Sequence, residues 1–173
     1  MQWWILLLGF AASCVITLLA TPQIKKLAFR AGAVSVPNHR SVHTKPMPLW
    51  GGLAIFIGFT VVYLVIAILS GYYEMDALVG MVGGGTLIVA VGLLDDRFDL
   101  SPKLKLLGQL AAAAVVVASG LYIEYIQLPF GDAIVVKPWI GMLITVFWIV
   151  GVTNAINLID GLDGLSAGVS AIA

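Results

Sequence analysis

The sequence predicts an all-α fold, a polytopic bundle of transmembrane helices, and three observations predict it. Of 173 residues, 61% are hydrophobic, and only nine are basic and nine acidic. Mostly apolar runs recur, each about 17 to 20 residues long, enough to cross ~30 Å of hydrocarbon as a helix. The charges are also sorted: eight of the nine basic residues fall in two of the segments between apolar runs, and those same segments with 157–164 hold five of the nine acids. A mean hydropathy of +1.06 excludes an ordinary water-soluble domain, and the small number of cations excludes a nucleic-acid surface.

The apolar runs place five complete spans at about Gln2–Ala20, Gly51–Ser70, Ala77–Leu94, Leu104–Leu121 and Trp139–Ile156, with a sixth starting near Leu165. The first run lacks a basic leader and continues into a basic segment, so it is expected to be a retained anchor. Cys14 is the one cysteine and lies inside that run, which excludes an intramolecular disulfide. The stretch 122–138 alternates in part around Gly131-Asp132 and predicts a short hairpin on the outer surface. The chain reads as one membrane domain over 1–173, with no repeat and no linker, and as the N-terminal part of a larger fold.

Lys25, Lys26, Arg30, Arg40 and Lys45 lie in the first expected loop, Arg97, Lys103 and Lys105 around the third, and Lys137 alone on the other side. Positive residues favour the cytoplasm, so the N-terminus is expected outside and the loops at 21–50, 95–103 and 157–164 inside. Trp3, Trp4, Tyr72, Tyr73, Tyr122, Tyr125 and Trp139 then fall near outer span ends, where amphipathic rings anchor at the interface.

Carboxylates at that inner surface are the place to look for chemistry. Asp95 and Asp96 come where the third span ends, and a helix C-terminus disfavours anions, so a compensating cation is required. Asp99 follows one turn later and shares their face if the helix continues. Ser101-Pro102 reads as N-cap and first helical residue of the next span, with Lys103 and Lys105 in its opening turn. Lysines there do not help the helix; either they answer the nearby acids, as Arg97 would, or they hold a phosphate at the helix N-terminus.

In the string VTNAINLIDGLDGL, Asn154, Asn157, Asp160 and Asp163 recur every three residues, and the first three form a polar stripe on a helix. Amides and carboxylates at that depth need partners. Three readings fit: interhelical hydrogen bonds, a cation pathway, or oxygen ligands for a hard ion such as magnesium that completes its shell with substrate phosphates. The segment around His39, Arg40, His43 and Lys45 reads alone as a positive-inside loop; beside two carboxylate clusters it reads as an anion-binding rim.

The strings VPNHRSVHTKPMPLWGGLAIF, GLLDDRFDLSPKLKLLGQ and VTNAINLIDGLDGLSAG, in this order, resemble the polyprenyl-phosphate N-acetylhexosamine-1-phosphate transferases. The chain looks like the N-terminal half of the bacterial undecaprenyl-phosphate N-acetylglucosamine-1-phosphate transferases that begin teichoic acid and other envelope glycans. The resemblance implies transfer of the sugar phosphate from UDP-GlcNAc to undecaprenyl phosphate, with Mg2+ and release of UMP, at the cytoplasmic face of the bacterial cell membrane. It assigns Asp95 and Asp96 to catalysis, a base role toward the lipid phosphate among them, and Asn157 to the metal. Asn154, Asp160, Asp163, Arg40, His43, Lys45 and Lys103 become substrate-binding residues. The implied partners are the UDP-sugar, undecaprenyl phosphate and the lipid bilayer, with a homodimer left open and no nucleic acid.

Two departures stand against the family pattern, Ser35 where it commonly has Asp and Ser41 where it commonly has Lys. They keep a second class alive, a catalytically silent membrane scaffold or truncated paralogue. A carrier or channel would place its polar residues mid-span, whereas these cluster at span ends.

Overall fold

The computed structural model describes residues 3–36, 45–71, 74–127, 131–160 and 165–172. Helix α1 runs Trp3–Ala31, eleven residues beyond the expected end at Ala20, so Lys25, Lys26 and Arg30 ride on the helix and not in a loop. Hydropathy falls at Thr21-Pro22, but a fall in hydropathy does not break hydrogen bonds. Pro22 is accommodated inside α1, and the Thr21 hydroxyl donates to the Thr17 carbonyl at 2.7 Å. What stops α1 is Gly32, at φ 73, where no side chain opposes the left-handed turn. Its N–H donates to the Phe29 carbonyl and that of Ala33 to the Ala28 carbonyl, the paired closure of a Schellman cap.

A two-residue antiparallel pair follows that the sequence did not announce, β1 (Val34–Ser35) with β2 (Met47–Pro48). It leads into α2 (Gly51–Ser70), which packs antiparallel along α1. That contact is close because Gly58 sits where a Cβ would meet the Thr17 side chain and the Ser13 carbonyl.

The third rod covers Met75–Phe98 and is not uniform. It consists of α3 (Met75–Leu78), a π-helical turn (Val79–Gly83) and α4 (Gly84–Phe98). Gly80 faces Ser119 and Leu121, and Gly84 faces Val116 and the Ala112 carbonyl, so the rod lies directly on α5 (Pro102–Ala118). Ser101 caps α5, accepting from the Leu104 N–H at 3.4 Å, with Pro102 in the first turn as expected. The expected hairpin is present as β3 (Tyr125–Ile126) paired antiparallel with β4 (Ile134–Val135). Helix α6 spans Pro138–Ile159 and α7 Leu165–Ile172. The Thr145 hydroxyl ties α6 to the segment before the hairpin, accepting from the Ile123 N–H at 2.9 Å.

The buried apolar residues are all alanines, Ala28, Ala33, Ala54, Ala67, Ala112 and Ala113, and among the described residues no large side chain is fully buried. Large apolar side chains point outward instead: Phe147 is 78% exposed and Leu158 85%. A chain that packs on small residues and presents Leu, Phe and Trp outward suits hydrocarbon, not water. Four helical rods are long and apolar enough to cross a membrane, Trp3–Ala31, Gly51–Ser70, Met75–Phe98 and Pro138–Ile159, and the chain is an all-α, multi-pass membrane protein. The expected fifth complete span does not meet that measure. Helix α5 has 17 residues, ends before Ser119-Gly120 and carries Lys103 and Lys105 in its first turn. At ~1.5 Å per residue that is about 26 Å, against ~30 Å of hydrocarbon.

Candidate active site

The up-and-down course of the helices brings the C-terminal ends of α4 and α6 and the N-terminal ends of α2 and α5 together at one end of the bundle. A cleft of about 350 Å³ opens there. Trp50, Leu53, Ile88 and Val89 give it an apolar part, and Asp95, Asp96, Lys105, Asn157 and Asp160 a polar one.

Asp95 and Asp96 lie in the last turn of α4, inside the helix and not in a loop after it. The helix stops at Phe98, and Asp99 is the left-handed cap, φ 50 and ψ 66, its N–H donating to the Asp95 carbonyl at 2.8 Å. Asp99 therefore does not continue the face of Asp95, as it would in an unbroken helix. The cation that the paired acids require is Lys105, whose ammonium lies 2.7 Å from Asp95 Oδ2 and donates to Asn157 Oδ1 at 3.3 Å. One lysine thus joins α4, α5 and α6. Arg97 takes no such part: its guanidinium stacks over Phe98, 5.4 Å from the ring centroid, and rests against Gly32 near the α1 C-terminus.

Helix α6 runs three residues past the expected end at Ile156, so Asn157 projects from its last turn, and Asp160 is its C-cap. Asn154 lies one turn below, and its amide engages Gln109 and the Val150 carbonyl instead of the cleft wall. Lys45 and Lys103 are exposed and outside the cleft walls. Arg40, His43 and Asp163, with Tyr72 and Tyr73, fall outside the described residues.

The sequence reading passed over Gln109, Trp50 and Thr153. Gln109 carries a signal in retrospect, as the lone polar residue in LLGQLAAAA, four residues after Lys105 and so on its face. Trp50 carries none; its indole N–H donates to the Leu93 carbonyl at 3.3 Å, which fixes the ring against α4 at the mouth of the cleft.

Among the described residues no three His, Cys, Asp or Glu side chains converge tightly enough to hold a metal by themselves. The donors that line the cleft, Asp96, Asn157 and Asp160 beside Asp95, are all oxygens. That set fits a hard cation that takes one or two protein oxygens and draws the rest of its shell from phosphates and water.

Residues 78–173, more than half of the chain and all of α4 to α7, match the family described as glycosyl transferase family 4. The chain belongs to that family. Among curated proteins it is 45% identical over 167 residues to the probable undecaprenyl-phosphate N-acetylglucosaminyl 1-phosphate transferase of Bacillus subtilis, covering 96% of this chain and 46% of that protein. It is 38% identical over 172 residues to the decaprenyl-phosphate N-acetylglucosaminephosphotransferase of Mycolicibacterium smegmatis, covering 96% and 42%. To the undecaprenyl-phosphate alpha-N-acetylglucosaminyl 1-phosphate transferase of Escherichia coli K12 it is 33% identical over 149 residues, covering 86% and 39%. This family 4 chain thus spans about half the length of, or somewhat less than, the curated relatives it matches. No solved structure matches it.

Proposed function

We propose that the protein transfers N-acetylglucosamine-1-phosphate from UDP-GlcNAc to undecaprenyl phosphate, releasing UMP, as the first membrane step of an envelope glycan. The observation that carries this reading is the convergence of Asp95, Asp96, Lys105, Asn157 and Asp160 around one cleft at the end of an apolar bundle. A reaction between an isoprenoid phosphate and a soluble nucleotide needs such a place, with phosphate-handling groups at the depth where a lipid headgroup meets water. The names of the relatives support the substrate classes.

In this mechanism a lipid-phosphate oxygen attacks the sugar-bearing phosphorus of the nucleotide, and the bond to the UMP oxygen breaks. Little covalent help is needed; positioning and charge neutralisation set the rate. Asp95 accepts the lipid-phosphate proton, Lys105 orients that carboxylate through their 2.7 Å contact, and Asp96 and Asp160 shape the charge around the pyrophosphate. Asn157 with a neighbouring carboxylate would hold magnesium, which would supply charge neutralisation at the pyrophosphate. Arg40, His43, Lys45, Lys103 and Asp163 serve as substrate-binding residues. The reading sets the site on the cytoplasmic face of the bacterial cell membrane, the N-terminus outside, and α5 as a fifth, short span. Residues 1–173 act as one membrane domain.

Membranes containing the full gene product are assayed with UDP-GlcNAc, undecaprenyl phosphate and magnesium. The expected products are UMP and undecaprenyl-diphospho-N-acetylglucosamine, both lost on chelation. A protein that is inserted and folded yet forms neither product with magnesium present would refute the assignment.

A further inference from the structure

Gln109 is 3% exposed in a stretch of α5 whose other buried residues are Ala112 and Ala113. Its amide meets that of Asn154 on α6 head to head: Asn154 Nδ2 donates to Gln109 Oε1 at 2.7 Å, and Gln109 Nε2 donates to Asn154 Oδ1 at 3.4 Å. Asn154 Nδ2 also donates to the Val150 carbonyl at 2.8 Å. Both donor hydrogens of Asn154 are thereby used inside the protein, and its acceptor oxygen is engaged as well. Nothing in that amide is left to donate to a substrate.

Spacing ties this pair to the site. Gln109 is four residues after Lys105 on α5, and Asn154 three before Asn157 on α6, so both pairs lie on the same two facing stripes. The upper pair, Lys105 with Asn157, is a single contact of 3.3 Å, exposed at the cleft. The lower pair is part-buried, with Gln109 itself buried, and reciprocal. Small alanines let helices approach closely but offer few knobs to fix how one is rotated against the other. A reciprocal amide pair closes at one rotation and one height only, the kind of polar contact that sets register between helices.

We propose that Gln109 and Asn154 are positioning residues, a clasp that sets the rotation of α6 against α5 and so holds Asn157 within reach of Lys105 and Asp95. This rests on the transferase reading for its kinetic consequence, and on geometry alone for its structural one. Gln109 borders the cleft and Asn154 does not, and the clasp acts through the placement of Asn157.

Two measurements on the full gene product test it, both with Cys14→Ser. In the first, Lys105→Cys and Asn157→Cys are bridged with a short bifunctional thiol reagent, with Gln109 intact, with Gln109→Leu, and with the swapped pair Gln109→Asn and Asn154→Gln. Bridging is expected with the clasp, to fall at least about fivefold with Gln109→Leu, and to return with the swap. In the second, with Lys105 and Asn157 native, Gln109→Leu or Asn154→Leu lowers kcat about tenfold or more and leaves the KM for UDP-GlcNAc within about twofold. The double Leu variant is no worse than either single one, because one interaction is lost in all three. Equal bridging in every background overturns the proposal, as do additive effects or an unchanged kcat per folded molecule. If the unaltered protein forms no product, the transferase reading fails by itself, and the bridging arm still decides the clasp.

Discussion

Lys105 and Asp95, ten residues apart across the turn between α4 and α5, meet at 2.7 Å with side chains 22% and 20% exposed. This contact resolves the conflict of two adjacent carboxylates at a helix C-terminus, where the helix itself disfavours them. It also places a cation that can exchange its carboxylate partner for a phosphate.

Lys105→Met should therefore harm both stability and turnover. Loss of Lys105 leaves Asp95 beside Asp96 with no other salt-bridge partner among the described residues, a destabilisation of about 2 kcal/mol for a pair only part-buried. Turnover is expected to fall by about 100-fold. Lys105→Arg should recover the stability and not the rate, because a planar fork does not replace a compact ammonium between Asp95 and Asn157. Thermal denaturation and transfer assays on one preparation separate the two; an arginine variant with full turnover would show that charge alone suffices.

Asp95→Asn is expected to lower turnover by about 10²-fold or more if Asp95 is the base, while the protein still inserts. Asp96→Asn tests the neighbour, which lines the same cleft without the Lys105 contact. Activity of Asp95→Asn within a few fold of the unaltered protein would move the base role off Asp95.

Orientation is read from cysteines placed one at a time at Lys45 and Asp132 in a Cys14→Ser background. Lys45 follows the first basic segment, and Asp132 precedes β4 at the opposite end of the bundle. An impermeant thiol reagent applied to intact cells should reach Asp132→Cys and spare Lys45→Cys until the membrane is opened. Labelling of both from outside would break the assignment of sides.

Gly58→Leu tests the α1–α2 seam. The new side chain would meet Thr17 and the Ser13 carbonyl, and overpacking of this kind costs about 1–3 kcal/mol. The Asp95 cleft does not include Gly58, so the loss should appear in thermal stability and folded yield, with kcat per folded molecule unchanged. An unaltered melting profile would mean that the helices part there without cost.

Much of the site was legible because its chemistry is concentrated in short polar strings between apolar runs. Asp95, Asp96, Asn157 and Asp160 all reach the cleft, and the Ser101-Pro102 start of α5 and the hairpin near Gly131-Asp132 are where the sequence puts them. The boundary of α1 was not legible: hydropathy registers the solvent a residue prefers, and α1 continues as a helix after that preference changes at Thr21. Nor was the partner of Lys105, since lysines at a helix N-terminus suit a bound phosphate as well as a carboxylate on the preceding helix. Gln109 was hidden by its alanine neighbours, which advertise close packing and say nothing of what an amide among them will meet.

The π-helical turn at Val79–Gly83 lies about three turns before Asp95 in the same rod. Such a turn is one residue inserted into an α-helix, and each residue of an α-helix turns its successors by about 100°. The compass bearing of Asp95 and Asp96 is thus tied to residue count far from the cleft. Deleting one residue between Val79 and Gly83 can be absorbed by the helix becoming regular, whereas the same deletion between Thr86 and Leu94 swings Asp95 away from Lys105 and Asp96 away from its place in the cleft. Length changes in this span should therefore be tolerated at its glycine-rich half and forbidden in the half that carries the acids.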